Sequence, residues 1–365
     1  MSYNFTIGYE RNTYAEERLF INKCSSAIYE KVNSIEFPSY PEFFNQNELF
    51  NSSWINRNDK KVDLVHYFNQ INFGDMPFVV TYETKVPRFW TKDAFEKGIE
   101  ILLSDTCLQI ISMSKSCYDI QQLAQSYLSD NDKKILIDKT LILHPPQELL
   151  PNNIERFEHI EKLKLVFVGR DFINKGGVPM LLALKNLINK GFPLELYLVS
   201  NLRIIDNTTN STEKDIEWIK SFINENKSWI YYYQSLTNSE VLSLISSCHV
   251  GLLPTLAETY GYSVLEMQAA GVPVISTNIR ALAEINHINW QIPLPYTMRP
   301  IIKDETSIPS LYEDVRTKLE SILEDIFHNL SSLKQLSYLN QGRIYAEHNL
   351  EQYSNKLYDI YSKAL

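Results

Sequence analysis

Short apolar runs alternate with longer mixed segments along the whole chain. In the first half, the runs at residues 5–7, 62–67, 78–82, 108–112 and 139–144 have the length and the β-branched or aromatic content of strands. Segments 14–32 and 91–103 between them have helix-forming composition. Strands separated by helices predict a parallel sheet in an α/β domain. Residues 38–58, rich in Pro, Phe, Asn and Ser and without a period, predict a loop excursion. No internal repeat or low-complexity tract is present.

Pro145, Pro146 and Pro151 fall within seven residues, a density that neither a helix nor a central strand tolerates. A domain boundary is expected there, dividing 1–150 from 151–340. Beyond it the alternation is clearer. Strands are predicted at 164–168, 194–199, 230–233, 250–253 and 274–276. Pro179 sits where a helix should begin, and Gly191 and Pro193 where it should end. A helix over 213–224 follows Thr212, with Trp218 and Ile219 on its apolar side. Thr237-x-x-Glu240 and Ser263-x-x-Glu266 each have the spacing of a capping box, and Gly271 and Pro273 end the second of these helices. Such a succession of βα units predicts a doubly wound parallel sheet. Residues 311–364 are helical by period, with an interruption expected at Gly342.

The 365 residues suffice for about two domains, and 44 % hydrophobic content is enough for each to bury its own core. Lys plus Arg number 35 against 44 Asp plus Glu, a formal charge of −9. An acidic chain without a basic run is a poor nonspecific binder of nucleic acid, and it offers anionic lipid no basic face. Membrane contact is therefore peripheral at most. Cys24, Cys107, Cys117 and Cys248 lie far apart with no CxxC, as reduced thiols of a cytoplasmic protein would. The opening residues lack the charged and apolar regions of a signal peptide, and no apolar stretch approaches the ~18 residues of a spanning helix.

Two loops at predicted strand ends of the second half have unusual content. The first holds Gly169, Arg170, Lys175, Gly176 and Gly177. Arg170 directly follows a strand and Lys175 precedes a helix N-terminus, so two cations join free backbone N–H groups and a helix dipole. That combination suits a pyrophosphate. The second runs from Pro254 through Glu258, Tyr260, Gly261, Tyr262 and Ser263 to Glu266. Two carboxylates on such a scaffold can accept hydrogen bonds from vicinal hydroxyls, although a capping box alone also explains Glu266. Cations for phosphates and acids for hydroxyls together describe a sugar-nucleotide site.

Glu258-x7-Glu266 followed by Ala-Gly-Val-Pro-Val-Ile, with Val-Gly-Arg170-x4-Lys175-Gly upstream, resembles the donor domain of GT-B glycosyltransferases of the retaining family 4 type, over roughly residues 160–285. The resemblance implies an α/β GT-B fold: two Rossmann-like domains with parallel sheets facing across a cleft. The acceptor would be held by 1–150 and the donor by 151–340, with a helix in 341–365 crossing back. It implies transfer of a hexose from a UDP- or GDP-sugar to a saccharide, glycolipid or glycoprotein acceptor, with no cofactor. Arg170 and Lys175 would hold the diphosphate and stabilise the leaving group. Glu258 would contact the sugar hydroxyls, and Glu266 the ribose. The backbone of Gly169, Gly176, Tyr260, Gly261, Tyr262 and Ser263 would line the donor, with the base near Ser200, Asn201 and Leu236.

The first half departs from the family pattern. Of the usual glycine-rich first loop only Gly8 remains, and Glu83 stands where the family often carries a histidine. His66 ends a predicted strand, where it would either line the cleft or cap the strand. Phe89 or Trp90 would stack an acceptor sugar. Asp130-x-Asp132 has the spacing of a metal motif but is expected to be a polar turn, and no metal is assigned. Two other readings compete: a non-catalytic partner subunit of the same fold, and an isomerase or hydrolase of the nucleotide sugar.

Overall fold

The computed structural model describes residues 5–33, 51–57, 61–204, 209, 211–295 and 307–364. The chain divides into two compact units, Met1–Pro146 with His348–Leu365, and Gln147–Glu347. Most of the predicted excursion at 38–58 lies outside the described residues.

The first unit contains β1 (Phe5–Tyr9), α1 (Tyr14–Leu19), β2 (Ala27–Lys31), β3 (Ser52–Ser53), β4 (Leu64–Phe68), β5 (Ile71–Asn72), β6 (Phe78–Tyr82), α2 (Lys92–Leu103), β7 (Cys107–Ser112), α3 (Lys115–Ala124), α4 (Asp130–Lys139) and β8 (Thr140–Ile142). Six strands form one parallel sheet in the order β2-β1-β4-β6-β7-β8. β3 and β5 form a small parallel ladder of their own. β6 is buried along its whole length, and β4 is buried except at Phe68, as central parallel strands covered on both faces must be.

Three expectations change here. The helix expected over 14–32 stops at Leu19, and Ala27–Lys31 is an edge strand beside β1. Asn22 in the left-handed region turns the chain between them, and Ile28 and Tyr29 suit a strand. Gly8 is not in a loop. It lies within β1, in register with Glu30 and Val65, and a Cβ there would come 3.0 Å from Val65 Cγ2. Asp130 and Asp132 form the first turn of α4, not a polar turn: Ser129 is the N-cap and accepts from the Asp132 N–H. Acids there complement the helix dipole.

The second unit contains β9 (Leu163–Val168), α5 (Gly177–Asn189), β10 (Leu194–Val199), α6 (Glu213–Glu225), β11 (Ile230–Tyr233), α7 (Asn238–Ser247), β12 (Val250–Leu253), α8 (Tyr262–Ala269), β13 (Val274–Thr277), α9 (Leu282–Ile285), β14 (Gln291–Ile292), α10 (Ser307–His328) and α11 (Ser332–Glu347). Its sheet is parallel, in the order β11-β10-β9-β12-β13-β14. The chain winds outward from β9 to β11, then returns to the other side of β9 with β12. The crevice at such a reversal, beyond the carboxyl ends of the strands, is where α/β sheets bind ligands. Trp218 is 41 % exposed, while Ile216, Ile219 and Ile223 form the buried stripe of α6. Gly342 does not interrupt a helix. It lies inside α11, and the breaks fall at 329–331 and at 348–349, where Asn349 caps the next helix by accepting from the Gln352 N–H.

That last helix, α12 (Leu350–Tyr361), belongs to the first unit. Its Tyr361 hydroxyl lies 2.8 Å from His66 Nδ1, and Tyr358 meets Phe5 edge-on at 5.5 Å. Among the described residues no helix is long and apolar enough to cross a membrane.

Candidate active site

β9 and β12 flank the reversal, and the loops leaving their carboxyl ends are locked together. The Leu256 N–H donates to the Asn174 carbonyl at 2.8 Å. Gly176 has φ +76, and a Cβ on it would stand 1.9 Å from the Pro254 carbonyl oxygen. Only glycine permits both that backbone and that approach. Gly177 opens α5 against the Phe172 ring, which a Cβ would meet at 2.4 Å. The Asn174 side chain donates to Asp171 Oδ2 at 2.7 Å and accepts from Thr209 Oγ1 at 2.9 Å. Sequence reading missed this clamp, because Asp, Asn and Thr in a loop carry no distinguishing pattern.

The clamp brings Lys175 and Glu258 together. Lys175 Nζ lies 2.6 Å from Glu258 Oε2 and also donates to the Ala257 carbonyl at 3.2 Å. The other carboxylate oxygen accepts the Thr259 N–H at 2.9 Å. The side chains are 21 % and 14 % exposed, so the pair is shielded yet reachable. Arg170, on the same loop as Lys175, is exposed, and its carbonyl accepts from Ser200 Oγ at 3.4 Å. Gly169 donates its N–H to Val199. Thus the β9 and β10 loops are joined as well.

Glu266 needs another explanation than the capping box. The N-cap of α8 is Gly261, at φ +99, where a Cβ would strike Leu282 Cδ2 at 2.5 Å. Ser263 and Glu266 therefore stand at the second and fifth helical positions, and Glu266 is only 8 % exposed. Tyr260 is buried and Tyr262 partly so, their rings 5.6 Å apart. Ser200 follows β10, and its hydroxyl accepts the Leu202 N–H; Asn201 Oδ1 accepts the Arg203 N–H at 3.3 Å. Leu236 is half-buried in the loop after β11. All of these residues lie at the carboxyl-end edge of one sheet.

Residues 152–289 match the model of the family described as glycosyl transferases group 1. The structure is similar to Anabaena HepE in complex with UDP-glucose (TM-score 0.64, 10 % identity, covering 98 % of this chain and 100 % of that one). It is similar to a glycosyltransferase from Rickettsia africae (TM-score 0.58, 16 % identity, 98 % and 89 % covered). It also resembles sucrose-phosphate synthase from Thermosynechococcus elongatus (TM-score 0.56, 16 % identity, 83 % and 73 % covered). The fold is that of a GT-B glycosyltransferase. No curated protein matches the sequence.

The first GT-B unit holds the remaining candidates, and they do not form one group. His66 belongs to the core, not to an accessible wall. It is completely buried, stacked on Phe20 at 4.0 Å, with ring nitrogens 2.8 Å from the hydroxyls of Tyr361 and Thr81. Burial holds its pKa down to about 3, so the ring is neutral. Glu83 is half-buried, paired with Arg88 at 2.8 Å and accepting from Asn69 Nδ2 at 3.3 Å. Phe89 is buried, whereas Trp90 is 78 % exposed. Among the described residues, no group of three or more His, Cys, Asp or Glu is placed to hold a metal ion.

Proposed function

We propose that this protein transfers a hexose from a nucleotide-diphosphate sugar to a saccharide or glycoconjugate acceptor, with retention at the anomeric carbon. The observation that carries the reading is the Lys175–Glu258 pair, held at 2.6 Å where the sheet reverses, with exposed Arg170 on the same loop. A donor entering there replaces one internal contact with two external ones. Lys175 turns to the diphosphate, and Glu258 is freed to accept from the sugar hydroxyls.

Breaking the anomeric C–O bond leaves the electron pair on the diphosphate; the acceptor oxygen takes its place on the same face of the carbon, and the acceptor hydroxyl proton passes to the departing diphosphate oxygen. Negative charge then grows where Arg170 and Lys175 stand, so the two cations stabilise the transition state more than the ground state. The backbone at Gly169, Gly176 and Gly261 to Ser263 approaches the donor closely, because glycines keep side chains out of the way. Glu266 faces the ribose hydroxyls, and Ser200, Asn201 and Leu236 border the base. No cofactor and no metal are assigned.

Lys175→Ala and Glu258→Gln are each expected to lower turnover by roughly 10²-fold or more. The pair is neither fully exposed nor fully buried, so its loss should cost only about 1 kcal/mol of stability. UDP or GDP should raise the melting point of the wild type by mass action. Normal turnover in both variants overturns the assignment. Absence of any nucleotide-induced rise points instead to a non-catalytic partner subunit, and donor consumption at an undiminished rate without acceptor points to a hydrolase or isomerase.

A further inference from the structure

A cavity of 430 Å³ lies wholly within the first unit, between the loop after β6, the start of α2 and the end of α3. Its size falls inside the roughly 300–1,000 Å³ of small-molecule sites. Phe89, Trp90, Phe95 and Tyr127 line it. Buried Phe89 serves as the floor, while exposed Trp90 and Tyr127 offer ring surface to an incoming molecule. Rings of this kind pack against the C–H-rich faces of sugars, burying apolar surface at little cost in conformational entropy.

The cavity also carries unbalanced charge among the described residues: two lysines and one glutamate line it. Lys92 pairs with Glu96 at 3.6 Å. Lys85 remains, with its ammonium over the rings of Phe95 at 5.1 Å and Trp90 at 5.7 Å. Burial, and then the neighbouring Arg88 charge, lower its pKa. Arg88 itself is engaged by Glu83. A half-buried cation that has ring faces but, among the described residues, no carboxylate partner gains most from an anion brought in from outside. Thr91 and Lys92, the N-cap and first residue of α2, line the same cavity. The N-terminal end of this 12-residue helix adds positive potential there.

The wall is built in advance. Gln121 brackets Val86, accepting its N–H at 2.8 Å and donating to its carbonyl at 2.5 Å. Gly98 of α2 lets Pro87 and Phe89 seat closely: a Cβ there would come 2.6 Å from Pro87 Cγ and 3.0 Å from Phe89 Cε2. The loop that carries Lys85 and Trp90 is thus fixed at both ends.

We propose that this cavity binds a saccharide bearing a carboxylate or a phosphate, with the ring on Trp90 and the anion on Lys85. Resting on the transferase function proposed above, this saccharide is the acceptor. The test is the intrinsic tryptophan fluorescence of the full chain, titrated with methyl glucuronide, glucose 6-phosphate and methyl glucoside. At least one of the anionic ligands should give a saturable change at roughly tenfold lower concentration than the neutral glycoside, about one charge-assisted contact. The tighter of the two names the anion. Trp90→Ala should abolish the change. Lys85→Met should erase the preference for the anion while leaving the neutral response. The rise in melting point with UDP or GDP, measured on the same preparations, should be unchanged in both variants, so failure of the donor reading is scored separately. Equal binding of all three ligands, binding of none, or a preference that survives Lys85→Met overturns the proposal.

Discussion

Of the buried histidines, His66 in the first unit and His249 in the second make stability depend on pH in a direction that can be worked out from their partners. His249 Nδ1 accepts the Lys164 N–H at 2.9 Å, and Nε2 lies 3.0 Å from the Arg156 carbonyl. The first contact requires an unprotonated Nδ1, so the neutral ring fits and the imidazolium does not. Burial lowers its pKa to about 4, and that of His66 to about 3. Both lie below the ordinary value near 6.5, so the unfolded chain takes up more protons as pH falls through that value. Their contribution is complete above about pH 6.5 and is lost progressively as the pH falls towards the folded values. Each should cost up to about 2 kcal/mol between pH 7.5 and 5. Glu16, raised by burial, acts in the opposite sense near its own carboxylate range. Urea titrations at the two pH values check this, and His66→Gln or His249→Gln should flatten the slope. A stability level across the window contradicts it. His66 also shows the limit of sequence at this scale: a histidine at a strand end reads the same whether it faces ligand or core. What decides is the packing of α12, nearly 300 residues later.

At the scale of elements, glycine position matters more than glycine presence. Gly176 and Gly342 look alike in sequence as punctuation, yet their surroundings are opposite. Gly176 combines a positive φ with a carbonyl 1.9 Å from any Cβ, whereas Gly342 has nothing within 4 Å and lies inside α11. Gly342→Ala should raise stability by about 0.5–1 kcal/mol through reduced freedom of the unfolded chain. Gly176→Ala should lower it by at least ~1–3 kcal/mol, from backbone strain plus the clash with Pro254. Urea unfolding midpoints decide, and the same sign for both variants refutes the distinction. The βα alternation of the second unit, with the Arg170–Lys175 and Glu258 loops at its strand ends, was legible because apolar runs and turn residues there coincide. The second capping box was misread for a physical reason. Box spacing recurs anywhere in a helix, and only the left-handed backbone at Gly261 places the true start two residues before Ser263. The strand at 27–31 was missed because it is an edge strand with mostly solvent-facing residues, whose pattern resembles that of a surface helix.

For the whole molecule, the consequential feature is that chain order and unit membership disagree: residues 348–365 belong with 1–146. The reason lies in what α12 covers. Tyr353, Leu357, Ile360 and Tyr361 are its buried face. Tyr361 reaches His66 and Phe5, Tyr358 also meets Phe5, and Ser354 accepts the Ser25 N–H at 3.2 Å. At about 1.5–3 kcal/mol for each large side chain buried, that face contributes several kcal/mol. This is comparable with the whole net stability of a domain, about 5–15 kcal/mol. Truncation after Glu347 would remove it, leave His66 without its Tyr361 partner, and uncover Phe5. The core of the second unit, centred on β9, β10 and β12, loses no residue by that cut. The truncated chain should therefore lose residues 1–146 to limited proteolysis while a fragment near 147–347 persists and still melts higher with a nucleoside diphosphate. Protection of β1, β4 and β6 in the truncated chain, or loss of both units together, would show that α12 is not what holds the first unit folded.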